Sequence, residues 1–273
     1  MPHPAQFLHI IWQTITSVRA SGGFQPQQQT FVDHIHRTTD HLKQALDPIP
    51  DSDIALRRII PTFGDSLLQK EIALFGYARL LLDSPASFDG ASLTATQASA
   101  MQTIFDVGQA LYQQTEKIRQ EAATERRQQH RAAPQAINLS QFLEMQHPIL
   151  AYWLRDEPLQ LSLMMAPTPD VMAASYHLAA FIEHIIRTLS QELLEYGHIK
   201  VSTVYDGSYG AIHIFATGIT LDASEQEVLF KKEGRSLYLQ RFLADGGAFA
   251  FSHDRGRGAT IILRLPLADT VTS

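Results

Sequence analysis

Apolar residues recur every three to four positions through the first half of the chain and alternate with polar ones near its end. Phe7, Leu8, Ile11, Ile15 and Val18 mark one helix face, which stops at Ser21-Gly22-Gly23. Phe31 to Leu46 predicts a second helix, closed by Asp47-Pro48-Ile49-Pro50. A long amphipathic stretch from about Ile54 to Leu82 predicts a third, broken by Asp83-Ser84-Pro85 and Asp89-Gly90. A fourth, from about Thr94 to Arg131, carries Met101, Ile104, Gly108, Leu111 and Ile118 on one stripe.

The last two helices predict a hairpin. Their apolar faces exceed what one hairpin can bury, and pairing with a second hairpin is the natural solution, which predicts a dimeric four-helix bundle. The tail Glu121 to Arg131 is polar all round and reads as a solvated helix end leading to a linker at Ala132-Ala133-Pro134. The second half is α/β. Met172 to Glu195 reads as a helix, apolar at Phe181, Ile182, Ile185, Ile186 and Leu189. Strands at His198–Tyr205 and Ala211–Phe215 are joined by Asp206-Gly207-Ser208-Tyr209-Gly210, a hairpin turn. A short helix, Arg235 to Ala244, ends at Asp245-Gly246-Gly247, and a closing hairpin of Ala248–Ser252 and Thr260–Leu265 turns through Asp254 to Gly258. No internal repeat is visible.

Composition narrows the chemistry. At 273 residues, 45% hydrophobic and 18% charged, the chain is long enough for two modest cores and too apolar to be disordered. A net charge of −6 gives no basic footprint for nucleic acid. The absence of cysteine removes disulfides, thiolate catalysis and thiolate metal sites. The beginning of the chain, Met1-Pro2-His3-Pro4, lacks a basic segment followed by a long apolar core, and no apolar run approaches the roughly 20 residues needed to span a bilayer. A cytoplasmic protein is expected.

The order of elements, a helical hairpin, a linker and then helix–hairpin–helix–hairpin, resembles the core of bacterial sensor histidine kinases over roughly Ile54 to Leu267. The best-matching piece is the end: Asp245-Gly246-Gly247, then Gly256-Arg257-Gly258-Ala259-Thr260, then Leu263-Arg264-Leu265-Pro266-Leu267. It is similar to the family's closing pattern of Gly-Gly, strand, Gly-x-Gly-[small]-Thr turn and strand ending Leu-Pro-Leu. Leu74-Phe75-Gly76-Tyr77-Ala78-Arg79-Leu80-Leu81-Leu82 is similar to the segment after the phosphoacceptor histidine, and Leu93-Thr94-x-x-Gln97 fits the start of the next helix. The resemblance implies a dimerisation and phosphotransfer hairpin at 54–131 and a histidine-kinase-like ATPase sandwich at 137–268; the helical segment 1–50 lies outside it and either extends the bundle or serves as an input segment.

The positions that carry the family's chemistry hold other residues. The phosphoacceptor block falls near Asp65-Ser66-Leu67-Leu68-Gln69-Lys70, without histidine or proline, so Asp65 stands at the acceptor position. His34-Ile35-His36-Arg37-Thr38-Thr39 preserves a His-x-x-Arg-Thr pattern one helix earlier, which leaves His34 and His36 as alternatives. The family's Asn-x-x-x-Asn helix, which binds magnesium and phosphate, matches His184-Ile185-Ile186-Arg187-Thr188, with neither asparagine. The adenine-reading Asp-x-Gly-x-Gly matches Ala216-Thr217-Gly218-Ile219-Thr220, and Ala216 can accept no hydrogen bond. The glycine-rich phosphate loop corresponds to Gly234-Arg235-Ser236-Leu237-Tyr238-Leu239, where one glycine of three remains and Tyr238 fills space that phosphate needs.

Four losses in register imply an abandoned nucleotide pocket. The expected protein is of the two-component type, a pseudokinase with no cofactor. It would act as a homodimer on a protein partner such as a response regulator or sensor kinase. ATP and magnesium would enter only if the degenerate-pocket reading failed. The alternative is a histidine phosphotransferase, or a divergent active kinase, using His34 or His36. A third idea, a pocket turned to another small ligand, has no residue that names the ligand.

Overall fold

A computed structural model of the chain describes residues 2–83, 92–129, 133–157, 159–192, 197–217, 237–254 and 258–268. They divide into two compact units, residues 1–125 and 126–273. Among the described residues no helix is long and apolar enough to cross a membrane.

The first unit is helical. Helix α1 (Pro4–Ser21) is capped by the His3 Nδ1, which accepts from the Ala5 N–H at 3.1 Å, and it ends at Gly22, where φ is +68°. Helix α2 (Pro26–Leu46) starts with proline at its first turn, where a missing N–H costs nothing. The single helix expected from Ile54 to Leu82 is instead broken. Helix α3 (Asp53–Ile59), capped by the Ser52 hydroxyl, runs into a 3₁₀ turn at Ile60–Phe63, and α4 (Asp65–Asp83) begins afresh. Pro61 removes a backbone donor, and Gly64 turns the chain at φ +58°, so the apolar periodicity continues across a real break in the helix. Helix α5 (Ala95–Gln129) is 35 residues long.

Specific ties set the directions of these helices. Trp12 Nε1 donates to Asp40 at 2.9 Å and Arg19 pairs with Asp33 at 3.0 Å, which makes α1 and α2 antiparallel. Phe31 and His34 both lie on Tyr77, setting α2 against α4. Arg119 meets Asp65 at 3.0 Å while Arg79 covers Phe105, so α4 and α5 run in opposite directions. Gln97 Nε2 donates to the Gly22 carbonyl and Gln114 Nε2 to the Pro2 carbonyl, which brings α5 back alongside α1. Four helices of alternating direction therefore close around one interior. Leu8, Ile11, Ile15, Val32, Ile35, Leu42, Leu74, Leu81, Met101, Ile104, Leu111 and Ile118 are all fully buried there.

This closure bears on the dimer argument drawn from the sequence. The apolar faces of α4 and α5 do need a second helical pair, but α1 and α2 of the same chain supply it. Within residues 1–50, α1 and α2 contribute two of the four helices that close this interior. The tail of α5 is also less solvated than its polar pattern predicts. Ala122 is buried, and Arg57 reaches Glu121 at 3.7 Å and Glu125 at 3.2 Å.

The second unit is a mixed α/β layer structure. Strand β1 (Gln135–Ile137) pairs antiparallel with β3 (Val171–Ala173). The main sheet has the order β2-β4-β5-β7-β6, built from β2 (Leu159–Met164), β4 (Gly197–Tyr205), β5 (Tyr209–Ala216), β6 (Ala248–Asp254) and β7 (Gly258–Pro266). Among the described strands only β2 and β4 are parallel; the connection between them carries α7 (Ser175–Glu192). Helices α6 (Leu139–Leu154), α7 and α8 (Leu237–Ala244) pack their apolar stripes onto one sheet face, against Ile199, Val201, Ile212, Ile214, Ile261 and Leu263.

Two local corrections follow. Met172 lies in β3 and not in a helix, because Val171 to Ala173 pair with Ile137 to Gln135, and α7 starts only at Ser175. Helix α6 was not read from the sequence, since Pro148 sits inside it and proline ordinarily marks a break. The two expected hairpins are present: β4 pairs with β5 from Ile199↔Ala216 to Tyr205↔Gly210, and β6 pairs with β7 from Ala248↔Arg264 to Asp254↔Gly258.

Candidate functional site

Helix α7 presents His177, Phe181 and His184 at helical spacing toward α8, which runs against it in the opposite direction. At one end His177 Nδ1 lies 2.8 Å from Asp245, a pair with side-chain exposures of only 8% and 17%. In the middle the Phe181 and Phe242 rings meet at 5.3 Å. At the other end the His184 and Tyr238 rings meet at 5.4 Å, inclined by 33°. Gly247 exists because of this packing: a Cβ there would come within 2.4 Å of the Phe242 ring. Three successive contacts thus hold α8 on the face of α7 that bears His177, Phe181 and His184.

The expected site residues fall as follows. His184 and Thr188 are both half-buried, one turn apart on α7. Ala216 ends β5 at 0% exposure, inside the sheet core and paired across to Ile199 and Ala259. A Cβ on Gly258, at φ +116°, would lie 2.1 Å from the Ala216 carbonyl oxygen, so β7 begins in close contact with the end of β5. The next residue, Thr217, is engaged by the neighbouring strand: its hydroxyl accepts from the His198 N–H at 3.0 Å. Tyr238 is exposed at 44% beyond its ring contact. Gly218, Gly234 and Ser236 lie outside the described residues, as does the segment 222–233.

The acceptor positions lie elsewhere, in the helical unit. Asp65 opens α4 and is largely exposed, at 80%, while held by Arg119. His34 stacks on Tyr77 at 5.6 Å. His36 Nδ1 lies 3.2 Å from Asp40, whose other oxygen accepts the Trp12 indole N–H. That carboxylate is fixed on both sides. The three do not form one cluster by any contact described.

Two features had no sequence signal. Arg187, read only as a spacer, lies over the Trp153 ring at 4.5 Å, a pair brought together by the packing of α6 on α7. Glu71 is fully enclosed in the bundle, with the Thr115 hydroxyl donating to Oε1 at 2.8 Å. Burial pushes its carboxyl up to about 7; the Thr115 hydroxyl and the Arg119 charge pull it down less strongly. Among the described residues no group of three or more His, Cys, Asp or Glu side chains could hold a metal ion.

The fold is thus a helical bundle followed by a helix-covered mixed sheet. The solved structures that the chain resembles are histidine kinase catalytic domains and sensor kinases. The catalytic domain of the histidine kinase ThkA in a nucleotide-free form shares 13% identity, covering 50% of this chain and 96% of that one at a TM-score of 0.44. The mycobacterial sensor histidine kinase MprB shares 15%, covering 49% and 97% at 0.41. The histidine kinase AdeS of Acinetobacter baumannii shares 16%, covering 74% and 97% at 0.43. No protein-family model and no curated protein sequence matches the chain.

Proposed function

We propose that this chain is a signalling protein of the two-component type, a catalytically degenerate histidine kinase that acts by binding another protein. The observation that supports this most is the interlock of α7 and α8, with the His184 ring against Tyr238, two positions that the resemblance assigns to the metal-binding and phosphate-binding motifs. Ala216 adds to it, since a position enclosed in the sheet core offers nothing to a purine edge. The partner in this reading is a response regulator or a sensor kinase. Isothermal titration of the full chain with magnesium-ATP tests it. No heat of binding at millimolar nucleotide is expected, and micromolar binding overturns the reading.

The same reading includes a homodimer. Because the four-helix interior closes within one chain, a contact between copies cannot rest on that interior and uses a surface outside it. Sedimentation equilibrium of the full chain decides this, and a monomer at all accessible concentrations removes the dimer.

A second reading, a histidine phosphotransferase, is favoured by one arrangement: Trp12 fixes Asp40, and Asp40 orients His36. A carboxylate on one imidazole nitrogen raises the nucleophilicity of the other. Acid-labile phosphate on wild-type chain but not on His36→Gln, after incubation with a phosphorylated receiver domain, would establish it.

A further inference from the structure

Glu71 occupies an interior position of α4, in the buried stripe Leu67, Glu71, Leu74, Ala78 and Leu81. Its exposure is 0%, as is that of Thr115, whose hydroxyl is the one donor on Oε1; Oε2 meets no donor among the described residues. An ionised carboxylate offers about four acceptor sites, so a single hydroxyl leaves the charged form poorly satisfied.

The surroundings do not repair this. From α5 the facing charges are Arg119 and Glu116, and Arg119 is already engaged by Asp65 at 3.0 Å and Glu116 at 3.5 Å. The buried positions in the second half of α2 are Thr39, whose hydroxyl donates to the Ile35 carbonyl at 2.8 Å, and the apolar Leu42 and Leu46; the α3 turn contributes Ile59 and Ile60, also apolar and fully buried. From α1 the titratable group is His3, brought to this level by the bond from Gln114 to the Pro2 carbonyl. Its Nδ1 accepts from the Ala5 N–H, and its enclosed Nε2 meets no partner among the described residues.

We propose that Glu71 is a proton-operated latch between α4 and α5: the closed bundle holds the carboxyl neutral, and loss of the proton favours an opened state in which the carboxylate reaches water. The sign follows from linkage. The closed state raises this acid from its ordinary 4.5 to about 7 and therefore binds the proton more tightly than an opened state does. Closure is complete below about 4.5 and is weakened as pH rises through about 7. A group with this midpoint responds to changes around neutrality, where an ordinary surface carboxylate does not.

The test uses the full chain. Carbon-detected NMR of the Glu side-chain carboxyls should give one group titrating near neutrality that is absent from Glu71→Gln; if every carboxyl titrates in the ordinary range, the proposal falls. The amide of Glu71→Gln keeps an acceptor for Thr115 and has no proton to lose, so its Tm should hold between about pH 6 and 8 while that of the wild type declines. Parallel profiles overturn the latch. Hydrogen exchange, corrected for the intrinsic pH effect, should accelerate at the higher pH along residues 67–78 and 108–118 alone. Uniform acceleration across residues 2–125 would mean that the proton governs global stability, and the latch is then wrong. Thr115→Val keeps the question decidable should Glu71→Gln fail to fold. Removing the hydroxyl must shift the carboxyl midpoint further upward, and an unchanged or lowered midpoint refutes the arrangement.

Discussion

The substitution Ala216→Asp, which places a carboxylate where the proposed reading looks for a purine-binding group, separates an abandoned pocket from a working one. In a working pocket the carboxylate would face ligand and water. Here it would enter a position with 0% exposure, between Ile199 on β4 and Ala259 on β7. A buried carboxyl avoids ionisation by raising its pKa by roughly three units or more, at about 1.4 kcal/mol each. The substitution should therefore cost about 4 kcal/mol at neutral pH, a large share of the 5–15 kcal/mol typical of a folded domain. The folded pKa of the new group would lie above its unfolded value, so the defect should shrink toward about pH 4 and widen as pH rises. Urea denaturation followed by tryptophan fluorescence reads it. The chain has two tryptophans, Trp12 in the helical unit and Trp153 in the α/β unit, so a Trp12→Phe background isolates the relevant unit. A variant with an unchanged midpoint that also binds magnesium-ATP would refute both the burial argument and the pseudokinase reading.

Other substitutions test the packing directly. Gly108→Val places a Cβ 2.9 Å from that of Phe75 and 3.1 Å from the Leu74 side chain, and overpacking of this kind should cost about 1–3 kcal/mol despite the better helix propensity. Thermal unfolding of the helical unit measures it, and a gain in Tm would contradict the close approach of α4 and α5. Leu74→Ala, at 0% exposure in the same interior, should lose about 2–5 kcal/mol in chemical denaturation; a loss under 1 kcal/mol would mean that α1 and α2 do not cover that face. Asp245→Ala leaves His177 without its 2.8 Å partner and should cost about 1–3 kcal/mol, with faster hydrogen exchange confined to α8 and the start of α7. Unchanged exchange there would show that the aromatic contacts alone fix α8.

Much of the secondary structure was legible because helix and strand impose different periods on apolar residues. The stripe from Met101 to Ile118 requires a helix, and α5 runs from Ala95 to Gln129, close to the stretch read from it. The alternation through Val201 and Ile212 requires a sheet with one covered face, and β4 and β5 pair over those residues. Periodicity fails where a break leaves the apolar rhythm intact. Gly64 resets the chain between α3 and α4 without disturbing the stripe, and Pro148 interrupts a pattern that packing nevertheless keeps helical. Edge pairing was equally hidden, since three residues, Val171 to Ala173, are too few to show alternation. At the candidate site the identities of His184, Thr188, Ala216 and Tyr238 could be read in line. Their consequences could not, because the facing residue of each pair lies far away in sequence.

The sequence by itself determined which residues seek an interior and where the chain turns. Those are local properties of side chains and their spacing. Tertiary structure alone decided what covers what: that α1 and α2 close the bundle which α4 and α5 leave open, that Glu71 has its charge excluded from water, and that α8 lies on α7. Hydrophobic burial is non-directional, so an apolar stripe states that it must be covered and not by which partner. The choice among partners depends on shape and on ties such as Trp12 to Asp40 and His177 to Asp245, which exist only once the chain has folded.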